Sequence, residues 1–332
     1  MKLNKNFNPG AYPDRPDDRD FKYEEIVFGA PQIDWEKGYN VEKELGITLK
    51  VENQNGSSSC VGQAFSKYTE VLNYVETGRL VNHSPKSIYE QIYLPQGGAY
   101  LKDGAKTPVN GGVALEDWIS SYPNGKPPTE EYMRKAMITP EIREKMLIYQ
   151  AKEYRSIGSA NADLIAHAIM NNYGAVTGAK GDNEGWKDWI VKPPKSSNPW
   201  GHAFYLIGFG KNNIGKYFDF INSWGEKWGK NGRGRMYFEQ YDMPNNAFGI
   251  WTLVDKPNYK EPSPQIMKLL NKYKNKILFN TQTGNFGLSV GDKLLVLNKP
   301  QRAGLMALMA MVRNSGIGIT NEIWSQFPKK EF

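Results

Sequence analysis

Apolar residues change their spacing along this chain, and the change limits the folds open to it. Val61, Ala64, Phe65, Tyr68, Leu72 and Val75 recur at three- and four-residue steps, which is one helical stripe, and Gly78 follows as a stop. Ser84-Pro85-Lys86-Ser87 opens a second helix, with serine at the cap and proline in the first turn. Asn110-Gly111-Gly112 precedes a third, at 113–119, and 161–172 reads as another. Beyond residue 174 the character differs. The segments 174–178, 203–209, 217–221 and 234–238 are rich in β-branched and aromatic residues, as strands are. Helices before about 120 and strands after about 174 are segregated, which argues α+β rather than alternating α/β.

The ends differ from this middle. Residues 1–35, with Pro13-Asp14-Arg15-Pro16-Asp17-Asp18-Arg19-Asp20, read as an extended arm. Residues 36–255 form the main domain, and 256–263 is a linker. Beyond it, helical patterns at 264–274 and 301–312 flank a hairpin at 287–298, so 264–332 is expected to be a small α/β module. Residues 256–332 carry 12 Lys and Arg against 4 Asp and Glu, a net +8 in a chain of net +7. The basic balance therefore belongs to this tail, which is either a solvated surface or a docking site for an anionic or protein partner.

Other classes are excluded. The first ten residues lack the apolar core of a secretory signal, and the apolar run at 303–312 is too short to span a bilayer. The chain has one cysteine, Cys60, so it has no internal disulfide framework and no multi-cysteine zinc site. That fits a reducing, cytoplasmic or assembly-associated setting. No metal or cofactor is expected.

Cys60 follows the turn-forming run Gln54-Asn55-Gly56-Ser57-Ser58-Ser59 and opens the first helix. A lone cysteine is commonly a small buried hydrophobe. At a helix N-terminus, however, unpaired N–H groups and the positive dipole end favour a thiolate. A cysteine nucleophile needs a base. His83 precedes a helix cap and reads as a surface residue, while His167 lies inside the 161–172 helix. His202 starts a buried strand, a rigid mount for an imidazole. The next strand ends in Asn222-Ser223-Trp224-Gly225, where Asn222 can accept from the imidazole and Trp224 can shield that bond from water.

In this order the residues resemble the papain-like cysteine peptidases. The resemblance is carried by Gln54 six residues before Cys60, the helix opening at Cys60, Asn110-Gly111-Gly112 and Gly201-His202-Ala203. It is also carried by the run Asn222-Ser223-Trp224-Gly225-Glu226-Lys227-Trp228-Gly229-Lys230-Asn231-Gly232. It covers roughly residues 45–255 and does not reach 264–332. The resemblance implies a two-lobed fold with a helical left lobe and an antiparallel, β-barrel-like right lobe. It implies Cys60 as nucleophile, His202 as its ion-pair partner, Asn222 as the group orienting His202, and Gln54 as an oxyanion donor. Gly111 and Gly112 would pair with an extended substrate, and Gly201 and Trp224 would complete the substrate site.

The chain also departs from the family. Ser57 stands where a disulfide cysteine is often found, Val61 replaces an aromatic residue, and Asn55 replaces a glycine. The 59 residues before Cys60 are too few for the family's long inhibitory propeptide, so any autoinhibition is expected to fall to the 1–35 arm or to a partner. The leading expectation is a peptidase that cleaves polypeptides through a Cys60 thioester. The alternatives are the same fold acting on a cell-wall peptide or isopeptide, and a peptidase-like docking component of a larger assembly.

Overall fold

The computed structural model describes residues 10–15, 17, 19–27, 31–158, 161–243, 248–255, 277–279, 286–290 and 293–296. The chain divides into two compact units, Met1–Asp255 and Lys256–Phe332. In the first, the helices are α1 Val41–Leu45, α2 Cys60–Thr77, α3 Pro85–Ile92, α4 Leu101–Gly111, α5 Glu130–Arg134, α6 Pro140–Met146 and α7 Ala162–Asn171. Its strands are β1 Ala11–Tyr12, β2 Tyr39–Asn40, β3 Ala99–Tyr100, β4 Glu153–Ser156, β5 Ala175–Gly181, β6 Trp200–Asn212, β7 Gly215–Ile221, β8 Arg233–Tyr237 and β9 Ile250–Val254.

Helix α2 is the axis of this unit. Its apolar stripe is buried from Val61 to Leu72 and partly buried at Val75, and the rest of its surface is buried as far as Asn73; Gly78 ends it in a left-handed conformation, φ 71°. Two neighbours come close because glycine allows it. A Cβ on Gly62 would stand 2.6 Å from Pro85 O, and one on Gly104 would stand 2.5 Å from Val61. On its other face α2 lies against β6, where the Tyr68 ring stacks on Tyr205 with centroids 5.0 Å apart. The buried Tyr68 hydroxyl is held by Asn172 O and Gly174 O at 2.8 Å, Thr252 Oγ1 at 2.9 Å and Leu253 O at 3.1 Å. One side chain thus ties the helix to β5, β9 and the end of α7.

The large sheet has seven strands in the order β4-β9-β5-β6-β7-β8, with β2 added along β6. Its neighbouring strands run antiparallel. This corrects the barrel-like lobe expected from the resemblance. The edge strands β4 and β8 do not pair with each other, so the sheet is open. The α+β segregation holds, with α2 to α6 preceding most of the sheet.

The third expected helix is displaced. Residues 113–119 form a bridge and turns, while the helix is α4, which ends at Gly111. Gly104 and Pro108 obscured it, since both are poor helix interiors. His83, expected at the surface, is buried, and its Nδ1 lies 2.8 Å from Thr69 Oγ1.

In the second unit, β10 Ile277–Phe279, β11 Phe286–Val290 and β12 Lys293–Val296 form an antiparallel sheet. The expected α/β character of this module rests on helices at 264–274 and 301–312, which lie outside the described residues, as does the linker at 256–263.

Replacing Tyr68 by Phe keeps the stack on Tyr205 but removes the one hydrogen the buried hydroxyl donates and the acceptor it offers the Leu253 N–H. Urea unfolding of Tyr68→Phe is expected to show a loss of about 1–3 kcal/mol.

Candidate active site

The site forms where the N-terminus of α2 meets the start of β6. Ser59 precedes the helix, Cys60 is its first residue, and both are fully buried. The backbone N–H groups of Ala203, Gly10, Val61 and Cys60 itself face the Cys60 sulfur. His202 is the neighbour of Ala203 on β6, opposite Ala179 of β5. β7 runs back along β6 in the register Tyr205 to Ile221, so the chain leaving β7 passes His202. There Asn222 Oδ1 lies 2.7 Å from His202 Nε2 and also accepts from Ser223 N at 2.8 Å. His202 Nδ1 is buried and has no hydrogen-bond partner.

Gln54 is brought in by a second seam. Its backbone N–H donates to Ser223 O, and Asn53 bridges to Trp224. Its side-chain Oε1 accepts from Ser223 Oγ at 2.6 Å, and its Nε2 donates to Ser57 O at 2.9 Å. The structure therefore gathers Cys60, His202, Asn222 and Gln54 around one helix terminus.

An aromatic shell surrounds the imidazole. Trp224 lies over His202 with ring centroids 4.6 Å apart, and Trp186 meets it edge-on at 5.6 Å. Trp186 is fully buried and also touches Trp200, Trp228 and Phe204. Trp186 sits in a stretch without periodicity, so nothing local in the sequence pointed to its place over the imidazole. Burial pulls His202 down to about 4, against the Asn222 hydrogen bond that raises it. Burial likewise pushes the Cys60 thiol up to about 11, against the N–H groups that lower it. Both shifts favour the neutral forms, so the covered site keeps its proton on sulfur.

The cover is the N-terminal arm. β1 pairs in parallel with β3, Ala11 with Ala99 and Tyr12 with Tyr100. Ala99 N donates to Gly10 O at 2.7 Å. Gly98 takes φ 76°, and a Cβ there would stand 2.3 Å from Gly10 O; one on Gly201 would stand 2.3 Å from Ala11 O. The arm is fastened farther along by Asp14, which accepts from Trp251 Nε1 and Lys102 N. Asp17 also pairs with Lys102 at 2.9 Å.

Of the expected substrate residues, Gly201 and Trp224 lie beside this arm and His202. Gly111 and Gly112 do not pair with it. They end α4, where Gly112 packs against the Met146 carbonyl. The edge that takes up a strand is Gly98-Ala99-Tyr100 instead. The signal was present as a second glycine pair, Gly97-Gly98, between two helices. Among the described residues no group of His, Cys, Asp and Glu could hold a metal ion, and no helix is long and apolar enough to cross a membrane.

The papain family cysteine protease profile matches residues 30–253. Cysteine proteinase 3 of Dictyostelium discoideum is 24% identical over 234 residues, covering 68% of this chain and 63% of that protein. This chain thus spans less than two thirds of that relative's length. Zingipain-2 of Zingiber officinale is 24% identical over 230 residues, covering 68% of this chain and 95% of that protein. Among solved structures, xylellain, a cysteine protease from Xylella fastidiosa, shares the fold. Its TM-score is 0.59 at 20% identity, over 77% of this chain and 98% of that one. The chain belongs to the papain family of cysteine proteases. Its single cysteine is free.

A Cβ on Gly10 would stand 1.9 Å from Ser58 O, so Gly10→Val lifts β1, and with it the Gly10 N–H, away from Cys60. Iodoacetamide is expected to alkylate Cys60 of the unaltered chain more slowly than a free thiol, with a rate still climbing towards pH 11. Gly10→Val is expected to raise the neutral-pH rate by at least about tenfold, as the thiol pKa falls by a unit or more.

Proposed function

We propose that this protein is a cysteine peptidase of the Cys-His-Asn type that cleaves polypeptides through a thioester on Cys60. The observation that carries the reading is the His202 geometry. Nε2 is committed to Asn222 Oδ1, which leaves Nδ1 as the nitrogen that can take a proton from the thiol. Once the arm leaves, water and substrate reach the site and the desolvation that holds both groups neutral falls away.

The chemistry follows from the residues. Cys60 Sγ gives its proton to His202 Nδ1, and the thiolate attacks the scissile carbonyl carbon. The oxyanion is held by the Cys60 N–H and the Gln54 side-chain amide, whose position is set by Ser223. The imidazolium then gives its proton to the leaving nitrogen as the C–N bond breaks, and the amine departs from a thioester. Water, deprotonated by His202, attacks the thioester, and the thiol is regenerated with release of the acid. Trp224 keeps solvent off the His202–Asn222 bond.

The substrate is an extended polypeptide. The arm is itself such a segment, paired by main-chain hydrogen bonds to β3, and a substrate can use the same edge by strand addition. The full chain is then a latent form, with residues 10–12 standing in the cleft until they are displaced or cut.

Turnover of a denatured protein such as casein by Gly10→Val, in which β1 is lifted from the cleft, tests this reading. Cys60→Ala and His202→Ala are expected to abolish it, and Gln54→Ala to lower kcat by about 10²–10³. Full activity in Cys60→Ala would overturn the reading.

A further inference from the structure

Behind the catalytic asparagine lies a small internal void, with about 10 Å³ open to the centre of a water molecule. That is room for one water. Glu52, Gln63, Lys67, Asn222 and Ser223 line it together with apolar residues of β6 and β7. Three buried polar atoms of these residues have no hydrogen-bond partner: Asn222 Nδ2, Gln63 Oε1 and Glu52 Oε1. All three residues are more than nine-tenths buried. One is a donor and two are acceptors. Glu52 Oε1 faces Lys50 and Lys67 at 3.2 and 3.7 Å, ion pairing that leaves its hydrogen-bonding capacity unused.

The direction of each bond leading to this void is forced. Ser57 Oγ donates to Gln54 O at 2.7 Å, since a carbonyl can only accept. A hydroxyl has one hydrogen, so in the 2.8 Å contact with Ser59 Oγ it is Ser57 that accepts and Ser59 that donates. Ser59 Oγ then accepts from Gln63 Nε2 at 3.3 Å. The Gln63 amide therefore cannot turn over, because its oxygen would meet an oxygen that has no hydrogen left to give. Gln63 Oε1 is held towards the void as an acceptor.

We propose that one buried water, seated between Gln63 Oε1 and Glu52 Oε1, joins the Ser223 N–H in fixing which way the Asn222 amide faces His202. Both protein atoms accept only, so the water spends its two hydrogens on them and turns a lone pair outwards. Asn222 then presents Nδ2 to the water, while its Oδ1 faces His202 and the Ser223 N–H that donates to it. An acceptor at His202 Nε2 places the imidazole hydrogen on Nε2 and leaves Nδ1 as the base. Gln63 and Glu52 are thus positioning residues, joined through Ser59 and Ser57 to the loop that carries Gln54. The inference rests on the Cys-His-Asn reading and adds how the asparagine is oriented.

The test is ¹⁵N NMR of the histidine side chains in the full chain, with His202 assigned by its loss in His202→Ala. The unaltered protein is expected to hold neutral His202 wholly as the Nε2–H tautomer. Gln63→Met removes the acceptor at nearly constant volume, and Ser59→Ala leaves Gln63 in place but frees its amide to turn. Each is expected to give a mixture in which Nδ1–H is populated, with the backbone spectrum otherwise preserved. If one variant does not fold, the other decides. A pure Nε2–H signal in the folded variants, or an Nδ1–H signal in the unaltered protein, overturns the proposal. Activity of Cys60→Ala bears separately on the peptidase reading, so the two cannot fail unnoticed together.

Discussion

The seat of α2 on β6 is the contact on which the site depends. The helix brings the thiol and the strand brings the imidazole, so any slip between them separates the two. Two devices prevent the slip at different heights. Near mid-helix the Tyr68 hydroxyl gathers three main-chain carbonyls and Thr252, while its ring stacks on Tyr205. At the N-terminus the Ala203 N–H faces the Cys60 sulfur directly. A long rigid helix held at both points places a side chain more finely than a loop can.

The second determinant is the low polarity around His202. Trp186, Trp200 and Trp224 surround it, and their rings contact one another as well. Dry surroundings make an unpaired charge costly and a well-placed hydrogen bond strong. This explains why the few polar atoms here matter so much. The Asn222 oxygen, the Gln54 amide and the serines before α2 carry the directional information that packing alone lacks.

The sequence revealed the parts of this arrangement that depend on local chemistry. Helix α2 was legible because its stripe, its opening and its glycine stop agree. Ser84 caps α3 by accepting from Ser87 N, with Pro85 in the first turn, as the residues suggest. Cys60, His202 and Asn222 stood out by residue type at element ends. What stayed hidden depends on pairing between distant segments. The open sheet is set by which strands meet, and β4 and β9, both short, carried little signal. The strand-accepting edge at Gly98 is recognised only once β1 lies on it, and Asn110-Gly111-Gly112 offered a similar pattern one helix later. Trp186 has no pattern of its own, and its place at the centre of the shell comes from tertiary packing.

One feature of the arm has a kinetic side. β1 is joined to the body through the chain itself, with Lys22 bridged to Ser156 and Asp14 tied to Trp251. A strand tethered over so short a span meets its edge at an effective concentration on the order of millimolar. A dissolved peptide of equal affinity for the same edge must reach about that concentration to displace β1, and a tighter-binding one proportionally less. The tether thus weights the edge against weak, dilute competitors, and one cut in the chain between the two fastenings and the cleft would remove that advantage.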